Sequence, residues 1–152
     1  MIRQVTAELV DAFGRLLPQL SSSAPPLEHS GLESIVACPA NTMLVSRSPA
    51  GQITGMLTLV MFPIPTGMRA WIEDVVVDES ARGQGAGVAL TLAALRLARD
   101  AGARTVDLTS RPSRAAAGRL YERIGFQLRS SRLYRFDLAE TDIPAGSDSA
   151  PG

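Results

Sequence analysis

The spacing of apolar positions changes along the chain, and each change marks an expected element. Residues 2–5 suit a short strand, after which Leu9, Val10, Phe13, Leu16, Leu17 and Leu20 recur at the spacing of one helical face. Residues 21–26, rich in Ser and Pro, break that helix, and a weaker one is expected over 27–37, ended by Pro39. From Thr42 the period falls to two. Strands are predicted over 42–47, 53–62 and 70–77, joined by a Ser48-Pro49-Ala50-Gly51 turn and a loop at 63–67. After Val77 the helical period returns for about seventeen residues from Gly85, roughly 25 Å at ~1.5 Å per residue, with Gly102 at the C-terminal stop. Val88, Leu92 and Leu95 form one apolar row and Leu90, Ala94 and Leu97 another. Arg96, Arg99 and Asp100 are left for solvent, and so wide an apolar face suits a helix lying on a sheet.

Residues 105–109 read as a strand. Strand, helix, strand in succession predicts a right-handed crossover, which sets this strand parallel to 70–77. A short helix is expected over 113–124, with Ala117, Leu120, Tyr121 and Ile124 inward, Arg114, Arg119, Glu122 and Arg123 outward, and Gly125 as its stop. Residues 126–129 and 133–138 read as two closing strands. The stretch 139–152 is Ala, Gly, Ser, Pro and acid, too polar to repay ordering, and a disordered tail is expected there. No internal repeat occurs, so one domain over 1–138 is the expectation.

Composition removes several chemistries. All fifteen basic residues of the 152 are Arg, which excludes a Walker-type lysine and a Schiff-base lysine. One Cys and one His argue against a zinc cluster or a Ser-His-Asp triad, so no metal is expected. Cys38 has no partner for a disulfide, and His29, nine residues away in a Pro-rich stretch, is a poor activating base for it. Glu8 and Asp11 stand where a signal peptide would be apolar, and no apolar run approaches ~18 residues, so a cytoplasmic protein without a membrane partner is expected. The neutral total of fifteen basic and fifteen acidic side chains hides a pattern. Residues 1–81 hold four Arg against eight acids, 82–135 eleven Arg against three acids, and 136–152 four acids and no Arg, giving −4, +8 and −4.

The candidate chemistry begins at Arg82-Gly83-Gln84-Gly85-Ala86-Gly87, between a Val-rich strand and the long helix. Glycines at 83, 85 and 87 permit positive φ, so successive backbone N–H groups can converge at the helix N-terminus, where Arg82 adds a full charge. Such a turn suits a phosphate or pyrophosphate. A tight strand-to-helix connection accounts for the same glycines without any ligand. The dinucleotide pattern Gly-x-Gly-x-x-Gly, begun at Gly83 or Gly85, meets Val88 or Leu90 where its third glycine belongs, which argues against a Rossmann fold.

Arg82-x-x-Gly85-x-Gly87 resembles the acetyl-CoA pyrophosphate motif of the GNAT N-acetyltransferase superfamily, Arg/Gln-x-x-Gly-x-Gly/Ala. Ala117-x-x-Leu120-Tyr121-x-x-x-Gly125-Phe126 is similar to that superfamily's helix after its fifth strand. The resemblance implies a single α/β (α+β) domain, with a mixed, mostly antiparallel sheet of about six to seven strands flanked by about four helices. It also implies acetyl-CoA as co-substrate. On the same footing, Val75, Val76 and Val77 supply main-chain contacts to the pantetheine and the thioester oxygen. Residues Arg82, Gly83, Gln84, Gly85, Ala86 and Gly87 bind the pyrophosphate, and Tyr121 is the general acid. The family's Asn falls on Arg114, which either reaches a CoA phosphate or lies in solvent.

An alkyl amine, with a reference pKa of ~10, must lose a proton before it attacks a thioester. Glu73 lies nine residues before Arg82, a spacing similar to the catalytic glutamate of the histone acetyltransferase branch. Asp74 beside it points to the other face of a regular strand, but a bulge here changes the facing, and a water chain is a third candidate base. Glu73, Asp74, Asp78 and Glu79 favour a cationic acceptor, such as a polyamine, an aminoglycoside, a lysine side chain or a peptide N-terminus; a solvated acidic edge explains them equally well. A non-catalytic acetyl-CoA sensor is the alternative function. The few aromatics, not interleaved with the arginines, argue against nucleic acid. Dimerising relatives leave a homodimer open.

Overall fold

A computed structural model describes residues 1–143 of the chain. Helix α1 (Ala7–Leu20) is capped by Thr6, whose side chain accepts from the Leu9 N–H, and it buries Leu9, Ala12, Phe13 and Leu16. Helix α2 (His29–Ala37) buries Leu32 beside them. Strands β1 (Asn41–Arg47), β2 (Ile53–Ile64) and β3 (Gly67–Val77) form the antiparallel meander. The expected loop at 63–67 is shorter than its composition suggests, because Ile64 already pairs with Gly67 across a Pro65-Thr66 turn. After a 3-10 turn (Glu79–Ala81) comes α3 (Ala86–Asp100), then β4 (Thr105–Leu108) and α4 (Ala115–Ile124). Strand β4 pairs parallel to β3 as the crossover rule requires, in the sheet order β1-β2-β3-β4.

Two apolar layers cover the sheet. Phe13, Leu16 and Leu32 pack with Met43, Ile53, Met56 and Val76 on one face, while Leu90, Ala94 and Ala98 of α3 pack with Leu44, Leu57, Leu59, Ala70 and Ile72 on the other. Each fully buried Leu in these layers contributes about 1.5–3 kcal/mol.

The sheet has four strands among the described residues, not six to seven. Three expected strands are missing. Near the N-terminus only Ile2 engages β1, through one bond from its N–H to the Met43 carbonyl. The segments 126–129 and 133–138 form no ladder, and Leu128 (95% exposed) and Tyr134 (84%) stand in solvent. Their alternation defines what two faces of a strand would carry, but a strand also needs a neighbour's N–H and C=O groups, and these segments do not reach the outer edge of β4. In consequence the inward side of α4 is only half-buried at Ala117, Leu120, Tyr121 and Ile124. Of the expected tail, residues 144–152 lie outside the described residues.

Candidate functional site

The site arises from two irregularities in β3. The first is a bulge. Val76 pairs with Met56 and Glu73 with Thr58, leaving Asp74 and Val75 opposite the single residue Leu57, and Asp74 takes φ 51°. A regular strand would place Ile72 and Val76 on one face. Here Ile72 and Val75 face α3 and Val76 faces α1, so the extra residue exchanges the faces. Glu73 and Asp74 are both exposed and both line the same cavity, so Asp74 does not turn away as a regular strand would require.

The second irregularity is a parting of strands. The parallel ladder between β3 and β4 ends at Ile72 and Leu108. Beyond it β3 runs on to Val77 with no partner on that side, and the chain after Leu108 diverges through Thr109, Ser110, Arg111 and Pro112 toward α4. The wedge opens into a cavity of about 1020 Å³, lined by Glu73, Asp74, Val75, Val76, Val77, Arg82, Gly83, Gly85, Ala86, Gly87, Arg114 and Tyr121 among others.

At the floor of the wedge, Gly83 (φ 77°) and Gly85 (φ 85°) hold the left-handed conformation that side chains disfavour. Gly85 is the N-cap of α3. Among the described residues, no backbone N–H from 83 to 87 donates to a protein acceptor, so these amides are left free at a helix N-terminus, where Gly83, Gly85, Ala86 and Gly87 line the cavity. Gly87 has a packing reason as well, since a Cβ there would meet Leu120 Cδ1 at 3.3 Å, where α3 passes α4. Gln84 departs from expectation. Its side chain turns from the wedge to donate to the Ser80 carbonyl at 3.2 Å and lines a separate cavity of about 310 Å³.

Tyr121 is half-buried, its ring edge-on to Phe126 with centroids 5.7 Å apart. Burial raises its phenol above the ordinary value, and the Arg114 guanidinium nearby offsets part of that rise. Arg114 does not simply lie in solvent. It donates to the Leu20 carbonyl at 3.1 Å, joining the start of α4 to the end of α1 across the cavity.

The four-carboxylate cluster is divided by the fold. Asp78 is buried and paired with Arg15, Glu79 lies 3.6 Å from Arg82, and only Glu73 and Asp74 face the wedge. Five arginines line it with them: Arg82, Arg111, Arg114, Arg123 and Arg135. Sequence reasoning missed Arg111, Arg123 and Arg135; their place within the basic block was the available signal. His29 and Cys38 sit at opposite ends of α2, with His29 against Glu33. Among the described residues no group of three or more His, Cys, Asp or Glu is arranged to hold a metal, and no helix is long and apolar enough to cross a membrane.

A mixed sheet whose parallel strands part beside a glycine-rich helix entry, with Glu73, Asp74 and Tyr121 on the walls, has the form that the GNAT resemblance implies. The family model described as "Acetyltransferase (GNAT) family" matches residues 7–126, and the chain belongs to that family. It is 35% identical over 124 residues to a glucosamine 6-phosphate N-acetyltransferase of Trypanosoma brucei brucei, a match covering 77% of this chain and 82% of the relative. It is 38% identical over 77 residues to "N-alpha-acetyltransferase 30" of Schizosaccharomyces pombe, covering 51% of each. A crystal structure of a Trypanosoma brucei acetyltransferase superposes with a TM-score of 0.72 at 30% identity, over 89% of this chain and 97% of that one.

Proposed function

We propose that this enzyme binds acetyl-CoA in the wedge and transfers its acetyl group to a primary amine of a small molecule, peptide or protein by direct attack in a ternary complex. The observation that carries the reading is the unpaired edge of β3 beyond Ile72, which ends at free amides on the N-terminus of α3. An extended pantetheine arm can add to that edge as a strand does, with the pyrophosphate on residues 83–87 and Arg82. Five arginines against two carboxylates suit a ligand carrying several phosphate charges, and Arg114 is close enough to serve as one of these cations.

Bound acetyl-CoA supplies a thioester carbon for the amine and a thiolate leaving group. Glu73 accepts the ammonium proton, directly or through water, with Asp74 beside it to hold the cation. The main chain from Val75 to Val77 provides N–H groups for the charge that grows on the carbonyl oxygen, and Val75 has no partner in β2. Tyr121 gives its proton to the departing sulfur, and its burial keeps the phenol protonated for that purpose.

The test is a screen for CoA release over amines, including glucosamine 6-phosphate, peptide N-termini, polyamines and aminoglycosides. The reading expects one amine class to release CoA at a rate proportional to enzyme. If acetyl-CoA raises the melting temperature while no acceptor releases CoA, the chain is a sensor instead. Release with hydroxyl acceptors alone overturns the choice of an amine.

A further inference from the structure

We propose that Arg15 and Asp78 form a positioning device that sets the pyrophosphate loop from below, making α1 a determinant of cofactor affinity. The proposal rests on the assignment of residues 83–87 to the cofactor's pyrophosphate. Asp78 is 8% exposed, and a carboxylate so placed needs several donors. It has three: the Arg15 guanidinium, the Ser80 N–H at 3.1 Å and the Ser80 hydroxyl at 2.8 Å. Its own N–H donates to the Thr54 carbonyl at 2.8 Å, and a second Arg15 nitrogen donates to the Ile53 carbonyl at 2.8 Å. The guanidinium therefore ties the residue that follows β3 and caps the 3-10 turn to the start of β2.

One turn further along α1, Gln19 Oε1 accepts the Glu79 N–H at 3.0 Å. Arg15 and Gln19 thus hold consecutive residues of the same turn. From the far side, Gln84 donates to the Ser80 carbonyl. Above the turn the situation is reversed. A Cβ placed on Gly83 or Gly85 would meet nothing within 4 Å, so no packing from above enforces their positive φ. Glycine has the most backbone freedom to lose, and a row of amides binds an anion well only if already ordered. The ordering comes from the hydrogen bonds at the base, and their hub is Asp78. Arg15 and Asp78 do not line the wedge, which makes them positioning residues and not catalytic ones.

The test compares CoA with pantetheine, which lacks the phosphates, as ligands of the full chain by calorimetry or competition. For Arg15→Ala and Asp78→Asn, CoA affinity is expected to fall ~10-fold or more, as for a lost charged hydrogen bond, while pantetheine affinity stays within ~2-fold. Arg15→Lys should recover part of the loss. A general structural defect would weaken both ligands together, and that result, or unchanged CoA affinity, overturns the proposal. If the Arg15 variant does not fold, Ser80→Ala, which removes the hydroxyl donor to Asp78 at a residue that does not line the wedge, must shift CoA affinity alone in the same direction; no shift overturns the proposal. Wild-type protein that binds pantetheine as well as CoA overturns the pyrophosphate assignment itself. Wild-type preference for CoA that the variants retain overturns the positioning role alone.

Discussion

Replacing Tyr121 by Phe removes one oxygen and leaves the ring. The edge-on contact with Phe126, 5.7 Å between centroids at 67°, is made by the rings and survives the change, so the melting temperature should move by no more than ~2 °C. The rate should respond very differently. A positioned general acid contributes ~10²–10⁴-fold, equivalent to ~3–6 kcal/mol of barrier at ~1.4 kcal/mol per factor of ten. The pH profile gives the sharper reading. Burial raises the phenol above its ordinary value, a reference of ~10, while the Arg114 guanidinium pulls it part of the way back. An acid that must be protonated is active below its pKa and fails as pH rises through it, so the wild-type rate should fall only in strongly alkaline solution. Arg114→Ala should move that fall to still higher pH, and Tyr121→Phe should abolish it along with most of the rate. The assay is CoA release with a thiol reagent from pH 6 to as far above 10 as the protein stays folded. A Phe variant within twofold of wild type at every pH, or one that keeps the same alkaline fall, would refute the acid assignment.

Glu73→Gln should lower turnover by ~10² or more with the acceptor at saturation. If Asp74→Asn does so and Glu73→Gln does not, the base is Asp74. Arg82→Ala should raise the dissociation constant for CoA ~10-fold and leave that for pantetheine unchanged, as read by calorimetry. Gly85→Ala places a side chain at φ 85° and should cost ~1–2 kcal/mol in urea unfolding, besides weakening CoA binding. Leu16→Ala, at a position 0% exposed beneath the sheet, should cost ~2–5 kcal/mol in the same measurement and leave the CoA dissociation constant within ~2-fold.

The glycine-rich loop was legible because its geometry is local: Gly83 and Gly85 adopt the positive φ that their lack of a Cβ permits, and the helix that Gly85 caps follows at once. Glu73, Arg82, Gly85, Arg114 and Tyr121 line one wedge only because the fold brings β3, α3 and α4 together. The face of Asp74 was not legible. Period-two alternation leaves a bulge undetermined, and one extra residue exchanges every facing beyond it. Arg15 gave no signal at all, because it lies 63 positions from Asp78 and only the packing of α1 on the sheet brings the two together.

By itself the sequence determined the helices, the meander, the parallel crossover and the glycine-rich turn, since each follows from local periodicity or from glycine at a required φ. It carried the charge division as well, with −4 before Arg82 and +8 from there to Arg135. Only the tertiary structure decided what those charges do. Burial pairs Asp78 with Arg15 and frees Glu73 and Asp74 for the wedge, because a carboxylate's role depends on which donors the fold brings within reach. The closing strands were decided there too. Alternating residues at 126–138 describe a strand's faces, while a strand exists only where another strand's edge meets it.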